Sequence, residues 1–266
     1  MSAEDLQTER ARFFRQLHQP GNPFVLVNIW DAGSAKTAAA AGAVALATTS
    51  AGHAWTLGKP DTGHISREEA AAHATQMAAA TDLPVSGDCE NGYGHSPKEV
   101  AATVRRCIAA GLAGCSIEDT MLPDAAPYPF SDAVLRIESA VAAARNAAAD
   151  FVLTARADGI MHGRYDLAEA IRRLRAFEAA GADVLYAPEP PDMDALARIC
   201  DSVAAPVNAL AAGKFCRFSL ADFARAGIAR VSLGSALART AQNAAENSVR
   251  EILHTGDFIS LQTGEK

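Results

Sequence analysis

Three acids and one arginine carry the chemistry this sequence offers. Asp88 and Glu90 stand two apart in Gly87-Asp88-Cys89-Glu90-Asn91-Gly92-Tyr93-Gly94, and Glu118 ends the apolar run Gly114-Cys115-Ser116-Ile117-Glu118. Carboxylates with water form the hard oxygen set that suits Mg²⁺ or Mn²⁺. On a continuing strand Asp88 and Glu90 share a face. Crowded acids repel one another unless a cation or protons intervene. The plainer reading makes them loop acids that cap helices or pair with arginines. Arg156, in Thr154-Ala155-Arg156-Ala157-Asp158, is the arginine that ends an apolar run in this acidic company. A planar guanidinium suits a substrate carboxylate. A salt bridge to Glu118 or Asp119 is the alternative, and both roles can coexist.

Other chemistries lack their residues. No H-E-x-x-H is present, and no clustered His/Cys ligand set shows in the spacing, so zinc is not expected. Lys36, Lys59, Lys98, Lys214 and Lys266 all fall outside the apolar runs, where the lysine of an imine-forming barrel aldolase would sit. His53, His64 and His95 read as loop or supporting histidines rather than bases. The glycines of residues 87–94 do not form a Walker loop.

The elements that must position these residues repeat along the chain. Short Val/Ile/Leu runs begin near Phe24, Ala43, Pro84, Gly114, Phe151, Ala182, Ala205 and Ala229, with Ala-rich helical stretches between most of them. Eight alternations predict a closed α/β barrel, (β/α)8, with extra N- and C-terminal helices. An open doubly wound sheet is the alternative. Ser66 with Glu69, Ser96 with Glu99 and Ser219 with Asp222 read as helix starts, and Pro97 fits a first helical position. Ala-Gly pairs ending at Gly42, Gly111, Gly181 and Gly227 read as helix ends. Residues 4–18 form a leading helix and 235–253 a trailing one. The layout is one domain, 1–266, with 235–266 a C-terminal helical extension. Leu237, Ala241, Ala245, Val249 and Leu253 recur every four residues in the trailing helix, a stripe that needs a partner. In such a barrel the active site lies where strands end. That collects Trp30, Ser50, Ala51 and Asn208 with the acids at one mouth.

Composition excludes several classes. The chain has 266 residues, 49% of them hydrophobic, with 24 basic and 31 acidic side chains for a net charge of −7. An acidic chain has no general attraction to nucleic acid or an anionic membrane. Five cysteines without C-x-x-C spacing fit no disulfide framework and suit a reducing cytoplasm. The acidic start Met1-Ser2-Ala3-Glu4-Asp5 is no signal peptide, and the apolar runs are too short to span a bilayer.

Residues 87–94, 114–119 and 154–158 together resemble the isocitrate lyase and phosphoenolpyruvate mutase superfamily. Trp30-Asp31-Ala32-Gly33-Ser34-Ala35 and Thr48-Thr49-Ser50 fit its first two strand ends, and the likeness covers about residues 20–240. The resemblance implies a (β/α)8 barrel whose Mg²⁺ binds a 2-oxo acid or its enolate. Asp88 resembles the direct metal ligand, and Glu90 and Glu118 the acids that hold the metal partly through water. Arg156 is similar to the substrate-carboxylate arginine. Ser50 and Ala51 resemble the backbone donors to the 2-oxo acid, Trp30 the pocket wall, and Asp61 an acid near the substrate. Asn208 is counted with the substrate-binding residues. The resemblance also implies a homotetramer with terminal helices packed between barrels.

Residues 120–130 depart from that pattern. They hold no cysteine, lysine or histidine, unlike the lyase loop, and no asparagine, unlike the mutase loop. The chemistry that survives is Mg²⁺-dependent cleavage of a C–C bond beside the 2-oxo group of a small 2-oxo or 2-hydroxy acid, as in oxaloacetate decarboxylation. Decarboxylation needs no base to start it, whereas retro-aldol cleavage does. C–P chemistry on a phosphono-oxo acid and a non-catalytic metabolite-binding barrel are the alternatives.

Overall fold

The computed structural model describes residues 2–146 and 150–262, so Lys266 and the end of the expected extension lie outside the described residues. Eight strands form a closed barrel: β1 (Phe24–Ile29), β2 (Leu46–Thr48), β3 (Val85–Asp88), β4 (Gly114–Glu118), β5 (Val152–Arg156), β6 (Val184–Tyr186), β7 (Val207–Leu210) and β8 (Arg230–Ser232). All neighbours run parallel in chain order, and β8 closes on β1 with Arg230 opposite Phe24. Both the barrel and the eight run positions match the sequence pattern.

Local chemistry sets the joints. The helices α4 (Arg67–Ala79), α5 (Pro97–Ala109) and α9 (Leu220–Arg225) each begin with a reciprocal capping box, from Ser66, Ser96 and Ser219. At the ends, Gly42, Gly111, Gly181 and Gly227 take φ of 93°, 85°, 96° and 83°, which a side chain would strain. The remaining helices are α1 (Ala3–Leu17), α2 (Ala32–Ala40), α3 (Ser50–Thr56), α6 (Phe130–Arg145), α7 (Leu167–Ala179), α8 (Met193–Ser202) and α10 (Ala236–Thr255).

The barrel has a plugged floor and a hollow middle. Helix α1 lies under the strand starts, where Ala11 and Phe14 pack with Leu26, Ala47, Val152 and Val184. Gln7 donates to the Ile108 and Leu112 carbonyls, which ties the plug to the α5–β4 joint. Barrel interiors are usually filled by layers of branched side chains. Here Asn28, Ala47, Ser86, Ser116, Asn208 and Ser232 are small or polar, and a cavity of about 230 Å³ runs inward from the mouth.

Helix α10 follows the closed barrel with most of its stripe uncovered. Leu237 and Ala241 border an apolar groove of about 1000 Å³ against α2, while Val249 and Leu253 are exposed. No helix among the described residues is long and apolar enough to cross a membrane.

Candidate active site

Strand β3 delivers Asp88 to the mouth, and its neighbours fix it. The Ser50 amide and hydroxyl donate to Asp88 Oδ2 at 3.1 and 2.8 Å, and Arg156 Nη1 donates to Oδ1 at 2.9 Å. Thr48 Oγ1 accepts the Asp88 backbone N–H at 2.8 Å. Ser50 stands at the start of α3 because Thr49 caps that helix through the Gly52 N–H.

Glu90 does not share a face with Asp88. The strand ends at Asp88, and Glu90 takes a left-handed φ of 46°. Its carbonyl accepts the Glu118 N–H at 2.9 Å, and its Oε2 accepts the Gly63 N–H at 3.2 Å. It therefore lines a second cavity beside Gly63 and Tyr93, while Asp88 and Asp61 line the central one. Glu90 Oε1 is buried without a partner. Burial, then repulsion from Asp88 and Asp61, pushes the Glu90 carboxyl up to about 7. Burial also raises Glu118, against the pull of Arg156, and raises Asp61.

Arg156 is gripped by acids. Asp158, fully buried, accepts from Nε at 3.1 Å and from Nη2 at 2.5 Å, and Glu118 lies 3.2 Å from Nη2. The salt-bridge alternative thus holds for Glu118, with Asp88 and Asp158 as the further partners. Asp119 instead accepts from Arg173, Tyr165 and the Asp158 N–H. A guanidinium has five N–H donors. Three of them go to Asp88 and Asp158, Glu118 faces Nη2 as an ion pair, and a second Nη1 hydrogen is left for a ligand.

The remaining candidates separate into two groups. Ser50, Ala51, Asp61 and Asn208 line the central cavity with Asp88 and Arg156, whereas Trp30 borders the apolar groove under α10. Asn208 spends its amide on neighbours: Oδ1 accepts from Arg230 Nε at 2.8 Å and Nδ2 donates to Ser232 Oγ at 2.9 Å. His53 belongs to α3 rather than a loop and stacks on His73 at 3.8 Å. His95 Nδ1 lies 2.9 Å from the Tyr128 hydroxyl, and His64 is exposed.

Several contributors carry little sequence signal. Asp158 follows Arg156 at spacing two, a faint sign of pairing. Arg136, on α6, donates to the carbonyls of Asn91, Gly94 and His95, and so holds the loop after β3. Nothing in its helix marks that role. Cys89, Cys107 and Cys115 are buried with their sulfurs within 4.8 Å of one another, against the expectation of no clustered His/Cys set. They come from β3's end, α5 and β4, so no short spacing reveals them.

A divalent cation fits these residues through a looser set. Among the described residues the cysteine trio is the only one of its kind so tightly packed, so Asp88, Glu90 and Glu118 do not converge within 4.8 Å. Their hard oxygens, the orphaned Glu90 Oε1 and the acid excess around Arg156 suit Mg²⁺ or Mn²⁺ with water completing its shell.

The phosphoenolpyruvate phosphomutase family model matches residues 14–253. The chain belongs to the isocitrate lyase/phosphoenolpyruvate mutase superfamily. The superfamily comprises lyases and mutases, and this member is similar to solved and curated proteins of both kinds. A Burkholderia cenocepacia J2315 structure described as a lyase/mutase is 44% identical, with a TM-score of 0.94, covering 98% of this chain and 94% of that one. Oxaloacetate decarboxylase of Paraburkholderia xenovorans is 32% identical over 211 residues, 75% of this chain and 68% of the relative. Oxaloacetate acetylhydrolase in complex with its product oxalate is 26% identical with a TM-score of 0.86, covering 97% and 89%. In this superfamily member the loop after β4 is a hairpin of Thr120–Met121 with Ala126–Pro127, and Arg164 pins it through the Asp124 and Ala125 carbonyls.

Proposed function

We propose that this chain is a Mg²⁺- or Mn²⁺-dependent carbon–carbon lyase acting on a small 2-oxo or 2-hydroxy carboxylic acid, with oxaloacetate-like decarboxylation as its reaction type. The observation that carries the reading is the single cavity where Asp88, Asp61, Ser50 and Arg156 meet. Asp88, Glu90 and Glu118 would hold the cation, directly or through water. When bound, the cation supplies Lewis-acid stabilisation of charge on the 2-oxo oxygen. Arg156 orients the substrate carboxylate with its remaining Nη1 hydrogen and adds positive charge where the cleaved bond leaves its electrons. Asp158 and Glu118 hold that guanidinium still, so little reorganisation is needed at the reacting centre. Asp61, whose carboxyl burial pushes above its ordinary range, lines the cavity where it can exchange a proton with substrate. Decarboxylation asks for no base to start it, which fits a hairpin at 120–127 without Cys, Lys or His.

Asp88→Ala should abolish Mg²⁺-dependent binding of oxalate in calorimetry. Unchanged affinity would remove the metal assignment. Phosphate release from phosphonopyruvate would replace the C–C reading with C–P chemistry, and saturable oxalate binding without turnover of any 2-oxo diacid would make the barrel a binding protein.

The proposed working unit is a homotetramer in the cytoplasm. The uncovered stripe of α10 and the groove beneath Leu237 support it. Light scattering at micromolar concentration should give a mass near four chains; a monomer would refute this.

A further inference from the structure

The central cavity reaches a second arginine. Arg230 is the first residue of β8, is 3% exposed, and lines the same cavity as Asp88 and Arg156. Arg156, Tyr186, Asn208 and Arg230 face one another in successive register from β5 to β8. Barrel strands are tilted and staggered, so a row of register partners descends from rim to floor. Arg156 ends its strand at the rim, and Arg230 begins its strand above the α1 plug.

This floor arginine lacks what a buried cation needs. Its Nε donates to Asn208 Oδ1 at 2.8 Å and its Nη1 faces His18 Nε2 at 3.2 Å, both uncharged partners. Burial, then the positive charges of Arg230 and Arg15, holds His18 down at about 3, so its ring is neutral. Among the described residues no carboxylate lies within 4.0 Å of Arg230, and its Nη2 has no hydrogen-bond partner. Burial, with repulsion from Arg156 and against the pull of Tyr186, lowers the guanidinium itself to about 9. An unpaired buried charge costs several kcal/mol. The Ser86 hydroxyl lines the adjoining wall and can donate a hydrogen bond, while those of Ser116 and Ser232 donate to Asp88 Oδ1 and the Ala209 carbonyl. A volume of about 230 Å³ is several water molecules' worth at about 30 Å³ each.

We propose that Arg230 forms the base of an anion subsite inside the barrel, which takes one carboxylate beneath the metal and 2-oxo acid site. Two sources share that chemistry. One is the distal carboxylate of a dicarboxylic substrate whose 2-oxo end lies at the rim, and this source rests on the lyase reading above. The other is a free small carboxylate, which does not. In the first case Arg230 selects diacids over monoacids of equal length.

The test uses thermal melting and calorimetry on the full chain. In EDTA, formate should raise the wild-type Tm by about 2–4 °C over gluconate at equal ionic strength. That shift should vanish in Arg230→Met and persist in Asp88→Ala. With Mg²⁺, wild type should bind 2-oxoglutarate about 10–100-fold tighter than 2-oxovalerate, as expected for one charge-assisted hydrogen-bonded pair. Arg230→Met should erase that preference and leave 2-oxovalerate affinity unchanged. The formate shift without the diacid preference assigns the subsite to a free anion; the preference assigns it to the substrate. Absence of both in wild type, or persistence of both in folded Arg230→Met, overturns the proposal. Should Arg230→Met not fold, Arg230→Lys takes its place and should keep the formate shift at weaker affinity; an unchanged formate affinity or an unchanged diacid preference overturns the proposal. The formate arm needs no metal, so its failure is distinct from failure of the lyase reading, which Asp88→Ala and oxalate decide.

Discussion

The rim and the floor of this barrel each hold one buried arginine, and the two are solvated in opposite ways. At the rim Arg156 touches Asp88, Glu118 and Asp158, with Glu90 and Asp61 close enough to feel its charge. At the floor Arg230 touches an amide and a neutral imidazole. The rim is therefore acid-rich and suited to a cation, while the floor is cation-rich and suited to an anion. Residue type alone does not assign a role to a buried arginine; the charge balance of its neighbours does.

The sharpest way to break this contrast is to remove each guanidinium. Arg156→Met leaves buried acids uncompensated and should cost about 3–5 kcal/mol in urea unfolding of the metal-free protein. Arg230→Met removes a charge that has no counter-ion, and should be neutral or stabilising by about 1 kcal/mol or more. Equal losses in the two variants would erase the distinction.

The two ends should also respond to pH in opposite directions. At the rim, Glu90 titrates near 7 folded against 4.5 as its ordinary value. The folded state then binds the proton more tightly, so metal-free stability is full below pH 4.5 and falls as pH rises to about 7, by on the order of 2–3 kcal/mol. Glu90→Gln should flatten that limb, and Mg²⁺ should offset it. At the floor, His18 titrates near 3 folded against 6.5. Here the unfolded chain binds the proton first, so stability is full above pH 6.5 and falls on acidification, by about 2 kcal/mol at pH 5. His18→Gln should remove the acid limb alone. Melting curves across pH for the three proteins check both signs.

The smallest effect concerns geometry at the rim. Arg156→Lys keeps the charge and loses the planar fork. Catalytic efficiency should fall about 10–100-fold, or roughly 1.5–3 kcal/mol, with little change in stability. A fall in stability with efficiency per folded molecule intact would make Arg156 purely structural.

The barrel was legible in the sequence because its signals are local. A capping box or an Ala-Gly joint is complete within four residues, and its geometry barely depends on the rest of the chain. Asp88 and Arg156 were legible for a related reason: each ends a strand, and strand ends face the mouth. Glu90 was not. Its turn into left-handed backbone is set by the Glu118 N–H and the Gly63 N–H, from distant segments, so extrapolating the strand's alternation failed after one residue. The cysteine trio escaped because three elements contribute one sulfur each. Arg230 escaped because it begins a strand, the end where no chemistry was sought.

The plug under the barrel has a consequence for how the chain acquires its structure. Helix α1 is synthesised before every strand of the barrel, yet His18 meets Arg230 across 212 residues of chain, and Arg15 meets Asp183 across 168. Its polar contact with Arg230 forms only when the last strand closes the ring, whereas Ala11 and Phe14 pack on residues of β1, β2, β5 and β6. Ring closure between β1 and β8 carries the loop-closure entropy of all the chain between them and belongs to the slow, high-contact-order part of folding. Until β6 is in place the apolar face of α1, with Ala11 and Phe14, lacks part of its packing surface. A nascent chain halted before β6 would display part of that face together with an open strand edge, the two features by which incomplete proteins aggregate.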